Sequence, residues 1–222
     1  MNHRIILFTI LLTTILVCCS GENLTNIPNI KIIESDIRIG NQIWKNKNLD
    51  VSHYRNGDTI PQVTDPKKWS ELTTGAWCYY DNNPQLGAIL GKLYNWYAIN
   101  DPRGIAPDGW HIPSNNEWED LIGFLGGDHI AGGKLKYTGG EVWKSPNYGA
   151  TNEFGFSGLP AGYRDGWGTF SSLSELAYFY SSSESDNAHS VCLYLYYNGV
   201  IITRDTYILK QCGFSVRCIK DN

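Results

Sequence analysis

Residues 109–121, GWHIPSNNEWEDL, constrain this chain more than any other stretch. An extended aromatic segment must turn there into a helix. Ser114 is a strong N-cap, and Glu117 three residues on completes a capping box. Pro113 keeps Ile112 extended and fixes the angle at which the chain comes in. Trp118, Leu121, Ile122 and Leu125 then recur at helical spacing and make one apolar face. Gly126-Gly127 closes the helix. Aromatic residues make up 13% of the chain, charged residues only 18%, and there are 23 glycines. Such a composition disfavours long helices and favours short strands, turns and irregular loop. The expected class is α+β: twisted antiparallel strands, two short helices and much ordered loop, in one domain. The second helix is predicted over residues 91–99 (GKLYNWYAI), where Leu93, Trp96 and Tyr97 share a face.

The first residues read as an address rather than as fold. Arg4 precedes an apolar, Thr-containing run over residues 5–17, short for a membrane span. It ends in Leu16-Val17-Cys18-Cys19, which resembles a bacterial lipobox, with Leu at −3, a small residue at −1 and Cys19 as the lipidated residue. Residues 1–18 are therefore expected to be a lipoprotein signal peptide. Residues 19–30 read as a polar tether broken by Pro28, and residues 31–222 as one domain. The expected location is the cell envelope, held to the membrane through the lipid anchor, in the outer membrane of a Gram-negative bacterium. A formal net charge of −4 argues against nucleic acid as a partner.

Period-two patterns and turn signals locate the strands. Residues 37–44 alternate about Gly40-Asn41 as a tight hairpin. Cys78-Tyr79-Tyr80 is strand-like and runs into a polar turn, Asp81-Asn82-Asn83-Pro84. Gly132 to Lys136 reads as a turn into a short extended piece. Over residues 152–164 (NEFGFSGLPAGYR) glycines alternate with bulky residues. That run has few side chains for a core of its own and must lie close against one already formed. Asp165-Gly166-Trp167-Gly168 makes a loop tip, and residues 179–183 a strand. Asn198-Gly199, between the runs 191–197 and 200–206, is a strong hairpin signal. Residues 213–219 form the last strand, with Phe214, Val216 and Cys218 on the opposite side from Ser215 and Arg217.

GNQIW with Asn48-Leu49, then GKLYNWYAI, PDGWHIPSNNEWEDL, TNEFGFSGLPAGYR and GFSVRC stand in that order over nearly all of the chain after the tether. They closely resemble the Fibrobacter succinogenes major paralogous domain. The resemblance implies a fold related to the formylglycine-generating enzymes, itself a variant of the C-type-lectin-like fold. It implies no activity. Two positions depart from the family pattern. Ala106 stands where Cys is frequent, which implies that one family disulfide is absent. Tyr180 stands where Trp is frequent.

Four cysteines follow the signal: Cys78, Cys192, Cys212 and Cys218. An even number in an exported protein reads as two disulfides. Cys212 and Cys218 lie about 20 Å apart if the strand between them is extended, too far to bridge. Of the pairings left, the lectin-like resemblance implies the nested one, Cys78–Cys218 and Cys192–Cys212. The formylglycine-generating enzymes hold copper between two thiols near the C-terminus, so thiol oxidation is the enzymatic alternative. The extended spacing of Cys212 and Cys218 opposes convergence on one ion. His111 reads as a hydrogen-bonded structural residue. Glu117 and Glu119 point to different helix faces, and no phosphate loop or nucleophile elbow is present. No metal, cofactor or catalytic residue is expected. The candidates for ligand binding are Tyr163, Asp165, Trp167 and Phe170 about the Gly-rich loop. Tyr178, Tyr180, Tyr194, Tyr196 and Tyr197 either join them or fill the core of a sheet. The reading that results is a lipid-anchored binding or interaction module for a glycan or a protein. A thiol enzyme and a purely structural surface protein are the alternatives.

Overall fold

In the computed structural model, which describes residues 30, 32–139 and 142–221, a hairpin of β1 (Asp36–Ile39) and β2 (Gln42–Lys45) turns at Gly40-Asn41 as predicted. Helix α1 (Pro66–Ser70) starts on an Asp65 cap. Then come β3 (Trp77–Cys78), a 3-10 turn at Tyr80–Asn82, and α2 (Pro84–Leu90). Next are β4 (Leu93–Tyr94), α3 (Trp96–Ile99), β5 (Trp110–His111), α4 (Asn115–Phe124) and α5 (Asp128–Leu135). The remainder is β6 (Tyr163–Arg164), β7 (Phe170–Ser171), β8 (Leu176–Glu184), β9 (His189–Tyr196), β10 (Ile202–Leu209) and β11 (Ile219–Lys220). One sheet runs β1-β2-β11-β5 and another β10-β9-β8; β3-β4 and β6-β7 are two-stranded. The class is α+β, with short helices on antiparallel sheets. Among the described residues no helix is long and apolar enough to cross a membrane. The lipidation reading at Cys19, the signal and nearly all of the tether lie outside the described residues.

The capping box forms in both directions. Ser114 Oγ accepts from the Glu117 N–H at 3.3 Å, and Glu117 Oε2 accepts from the Ser114 N–H at 2.8 Å. The apolar face of α4 is buried as its spacing requires. Trp118 sits in a ring cluster with Trp44 of β2 (4.8 Å), Phe156 of the glycine-rich run (6.1 Å) and Phe179 of β8 (5.9 Å). One helix thereby joins both main sheets to residues 152–164. The β8–β9 sheet divides the core in two. Ala177, Phe179, Leu193 and Leu195 face the α4 side, while Tyr180 and Cys192 face a second lobe with Trp110, Phe214 and Val216.

Several expectations are corrected. The chain has five helices among the described residues, not two. Asn83-Pro84, read as a turn, is the cap and first residue of α2; Asn83 Oδ1 accepts from the Gln85 N–H at 2.9 Å. Residues 91–99 are not one helix: Leu93–Tyr94 pairs with Trp77–Cys78, and Asn95 then caps α3 through the Ala98 N–H. Gly132-Gly133 lies inside α5 because the helix must touch the β9–β10 connection. A Cβ on Gly132 would stand 2.6 Å from the Ile201 carbonyl oxygen, and one on Gly133 2.4 Å from that of Gly149. That connection is wider than a two-residue turn, since Leu195 pairs with Ile202. The last strand is regular only at Ile219–Lys220; Gly213, Phe214 and Ser215 bridge to three different partners. Ser215 and Arg217 are as buried as Phe214 and Val216, so alternation there does not divide core from solvent.

Candidate functional site

Strands β6 and β7 carry the predicted loop on their tip. Asp165 Oδ1 accepts from the Trp167 N–H (2.9 Å) and the Thr169 N–H (2.8 Å), which closes the turn. Gly168 has φ +91°, and its Cα packs where a Cβ would stand 2.6 Å from Pro66. Beneath the loop, the fully buried Arg164 clamps it. The guanidinium donates to the carbonyls of Gly168 (3.0 Å), Val63 (2.6 Å) and Thr64 (2.9 Å). It lies between the rings of Trp69 (4.4 Å) and Phe170 (4.8 Å). Trp167, at the outer end, is 73% exposed. The loop is thus held at its base and presents one indole to solvent.

The four predicted ligand-binding residues do not form one cluster. Asp165 ties its own loop, and Trp167 stands free of the core. Phe170 pairs with Arg164 across the hairpin and packs on Tyr80 at 5.2 Å, so it belongs to the clamp. Tyr163 points to the other side, into an array that strand alternation builds. Its ring meets Tyr178 edge-on at 5.0 Å. Tyr178 is stacked between Phe214 (4.7 Å, 10°) and Tyr194 (4.8 Å, 28°), and Tyr196 meets Tyr194 edge-on at 5.1 Å. All four tyrosines are half-buried. Burial pushes the Tyr178 and Tyr194 hydroxyls above the ordinary phenol range, so both stay protonated at neutral pH. Tyr180, by contrast, is core, its hydroxyl donating to the Cys212 carbonyl at 2.7 Å. The sequence carried the alternation of Tyr178 with Tyr180 and of Tyr194 with Tyr196. It held no sign that Phe214, from a distant segment, backs the stack, or that Arg164 anchors the loop.

The disulfide expectation is corrected. Cys78, Cys192, Cys212 and Cys218 are buried free thiols, and neither Cys78–Cys218 nor Cys192–Cys212 is formed. Cys78 lies by Arg164, whereas Cys218 lies by Arg217, Lys45 and Arg55. The two therefore occupy different surroundings. Cys192 and Cys212 are neighbours of each other and of Asp205, yet no bond joins them. Burial pushes the Cys78, Cys212 and Cys218 thiols up to about 12 and Cys192 well above its usual range. A buried thiol so shifted is a poor nucleophile and metal ligand. Among the described residues no group of three His, Cys, Asp or Glu side chains could hold a metal ion.

His111 bridges two carboxylates, Nε2 to Glu117 Oε1 and Nδ1 to Asp221 Oδ1, both at 2.7 Å. Burial opposes its charge, but the hydrogen bonds to Glu117 and Asp221 outweigh it and hold the ring above its ordinary pKa. It staples α4 to the end of β11. A cleft of about 420 Å³ opens elsewhere, between Ile30, Ile32, Ile89 and Lys45, with Cys218 in its wall. Two of its charges are matched, Lys45 with Asp36 at 2.6 Å and Asp50 with Lys92 at 2.5 Å, and Glu34 and Lys47 also line it.

Two further buried cations explain why the motif residues stand where they do. Arg217 donates to Asn48 Oδ1 (2.7 Å) and to the carbonyls of Lys45, Phe156 and Ser157. Lys136 donates to the carbonyls of Tyr148, Tyr196 and Gly199 at 2.8–2.9 Å. Each gathers loops that lack ladder partners of their own. No curated protein and no solved structure matches the chain. The Fibrobacter succinogenes major domain does match, over residues 37–220. That span holds the α4 unit, the glycine-rich run and the Arg217 staple, and the chain belongs to the Fibrobacter succinogenes major domain family.

Proposed function

We propose that this chain is a lipid-anchored cell-envelope binding module that takes a glycan or protein ligand on the Trp167 loop and the tyrosine array beside it. The observation that carries this reading is exposure joined to rigidity. Trp167 keeps 73% of its surface in water on a loop that Arg164 and Asp165 hold from below. Binding residues concentrate on loops fixed by a scaffold, and Trp is enriched at interface hot spots. Thiol chemistry has no comparable support, since its four cysteines are buried. In the same proposal the α+β architecture is a variant of the C-type-lectin-like fold, related to the formylglycine-generating enzymes. Its support is that the first hairpin and the last strand close on each other in one sheet. An experimental structure that superposed on neither would remove that part.

The functional test is Trp167→Ala, read on a glycan and protein array and by thermal melting. We expect the melting temperature to stay within a degree or two. The best ligand of the wild type should weaken by about 2 kcal/mol or more. An array on which wild type and variant behave alike would leave a structural surface protein as the better reading.

A further inference from the structure

Within that binding reading, we infer that the tyrosine array recognises a neutral, hydroxyl-rich glycan through its phenol edges, with Trp167 as the stacking residue at its margin. Ring geometry carries the inference. Tyr178 has both faces covered, by Phe214 at 4.7 Å and Tyr194 at 4.8 Å. Tyr163 and Tyr196 meet their neighbours edge-on at 5.0 and 5.1 Å. The ring faces at the middle of the array are spent on one another, so it is a poor apolar platform. What remains is the oxygen-bearing edge. None of the four hydroxyls is a buried orphan. Those of Tyr194 and Tyr196 act on each other. Those of Tyr163 and Tyr178 bond to no described residue, and neither is wholly buried. A phenol hydroxyl both donates and accepts, which matches a sugar hydroxyl.

Charge selects among glycans. Asp205 pairs across from Cys192 and acts on Tyr194, together with Tyr196 and Cys192. Asp165 acts on Cys212 from the loop side. Asp205 is therefore an acidic neighbour of the array, which repels uronates and sulfates and accepts hydrogen bonds from neutral sugars. The loop continues directly from β6, whose Tyr163 belongs to the array. Trp167 thus supplies the open ring face that the array lacks, and sugar rings stack on such faces.

The detergent-solubilised full chain is run by native affinity electrophoresis through gels holding glucomannan, xyloglucan or dextran, and in parallel polygalacturonate or chondroitin sulfate. Retardation by at least one neutral polymer, with none by the acidic pair, is expected. Tyr163→Phe and Tyr178→Phe keep the rings and remove the hydroxyls, so melting should be unchanged. Each should weaken retardation about fivefold to tenfold, the worth of one hydrogen bond. Retardation by the acidic polymers would overturn the inference. So would a neutral ligand whose binding needs Trp167 and ignores both hydroxyls, although the binding module itself would survive that result. If no polysaccharide retards the chain while a protein ligand depends on Trp167, the glycan inference falls and the broader reading stands. If neither a glycan nor a protein depends on Trp167, both fall.

Discussion

Two residues show how charge is used in this domain. Arg217 is fully buried without a carboxylate, and burial pushes it down to about 9. Its hydrogen bonds go to one side-chain and three backbone oxygens. Arg217→Met should remove about 3–5 kcal/mol of stability, because those acceptors stay buried without a partner. Arg217→Lys should recover less than half, since an ammonium cannot fork to four acceptors. A Met variant that unfolds at the wild-type urea midpoint would show that the acceptors find other donors. His111 gives a pH signature. Its folded pKa lies above the ordinary 6.5, so its contribution is complete below that value and fades as pH rises through the raised one. Glu117 is the reverse. Burial works against its charge, but the Ser114 and His111 hydrogen bonds keep it below 4.5, so its contribution fades as pH falls. The stability gap between wild type and His111→Gln should be about 1 kcal/mol between these limits, discounted for partial exposure, and near zero at about pH 9. A gap that does not change with pH would mean that the ring acts by packing alone.

At the scale of elements, identical residues in neighbouring helices have opposite roles. Gly123 lies on the exposed side of α4, where a Cβ would meet nothing within 4 Å, whereas Gly133 of α5 abuts the Gly149 carbonyl. Intrinsic propensity favours Ala at both by up to about 1 kcal/mol. Gly123→Ala should therefore stabilise by about 0.5–1 kcal/mol. Gly133→Ala should destabilise by about 1–3 kcal/mol, as overpacking does. Calorimetric melting of the two variants checks the contrast, and equal shifts would refute the close approach. The α4 unit was legible because its signals are local: a cap, a box partner three residues on, and a periodic face. Residues 91–99 were not legible as strand and helix. Leu93–Tyr94 is extended only because Trp77–Cys78 and Phe214, both remote in sequence, offer it backbone partners.

At the scale of the molecule, the anchor proposal is tested by Cys19→Ala, which should move the chain out of the detergent phase on partitioning. Retention there, with loss of lipid label in Cys18→Ala instead, would identify the other cysteine. Sequence by itself determined the family, the α+β class, the capped helix, the first hairpin and the loop tip at Asp165–Gly168. The capped helix, the hairpin and the loop tip rest on bonds or periodicities within a few residues, and the family on motifs that each span a short stretch. Tertiary structure alone decided where the cations went, which tyrosines stack on one another, and that the thiols are buried and unbridged. The physical reason is that these depend on segments such as 63–64, 156–157 and 213–217 meeting Arg164, Arg217 and Tyr178. Burial turns a charged or polar side chain from a surface group into a staple. No local pattern states which residues will be buried together.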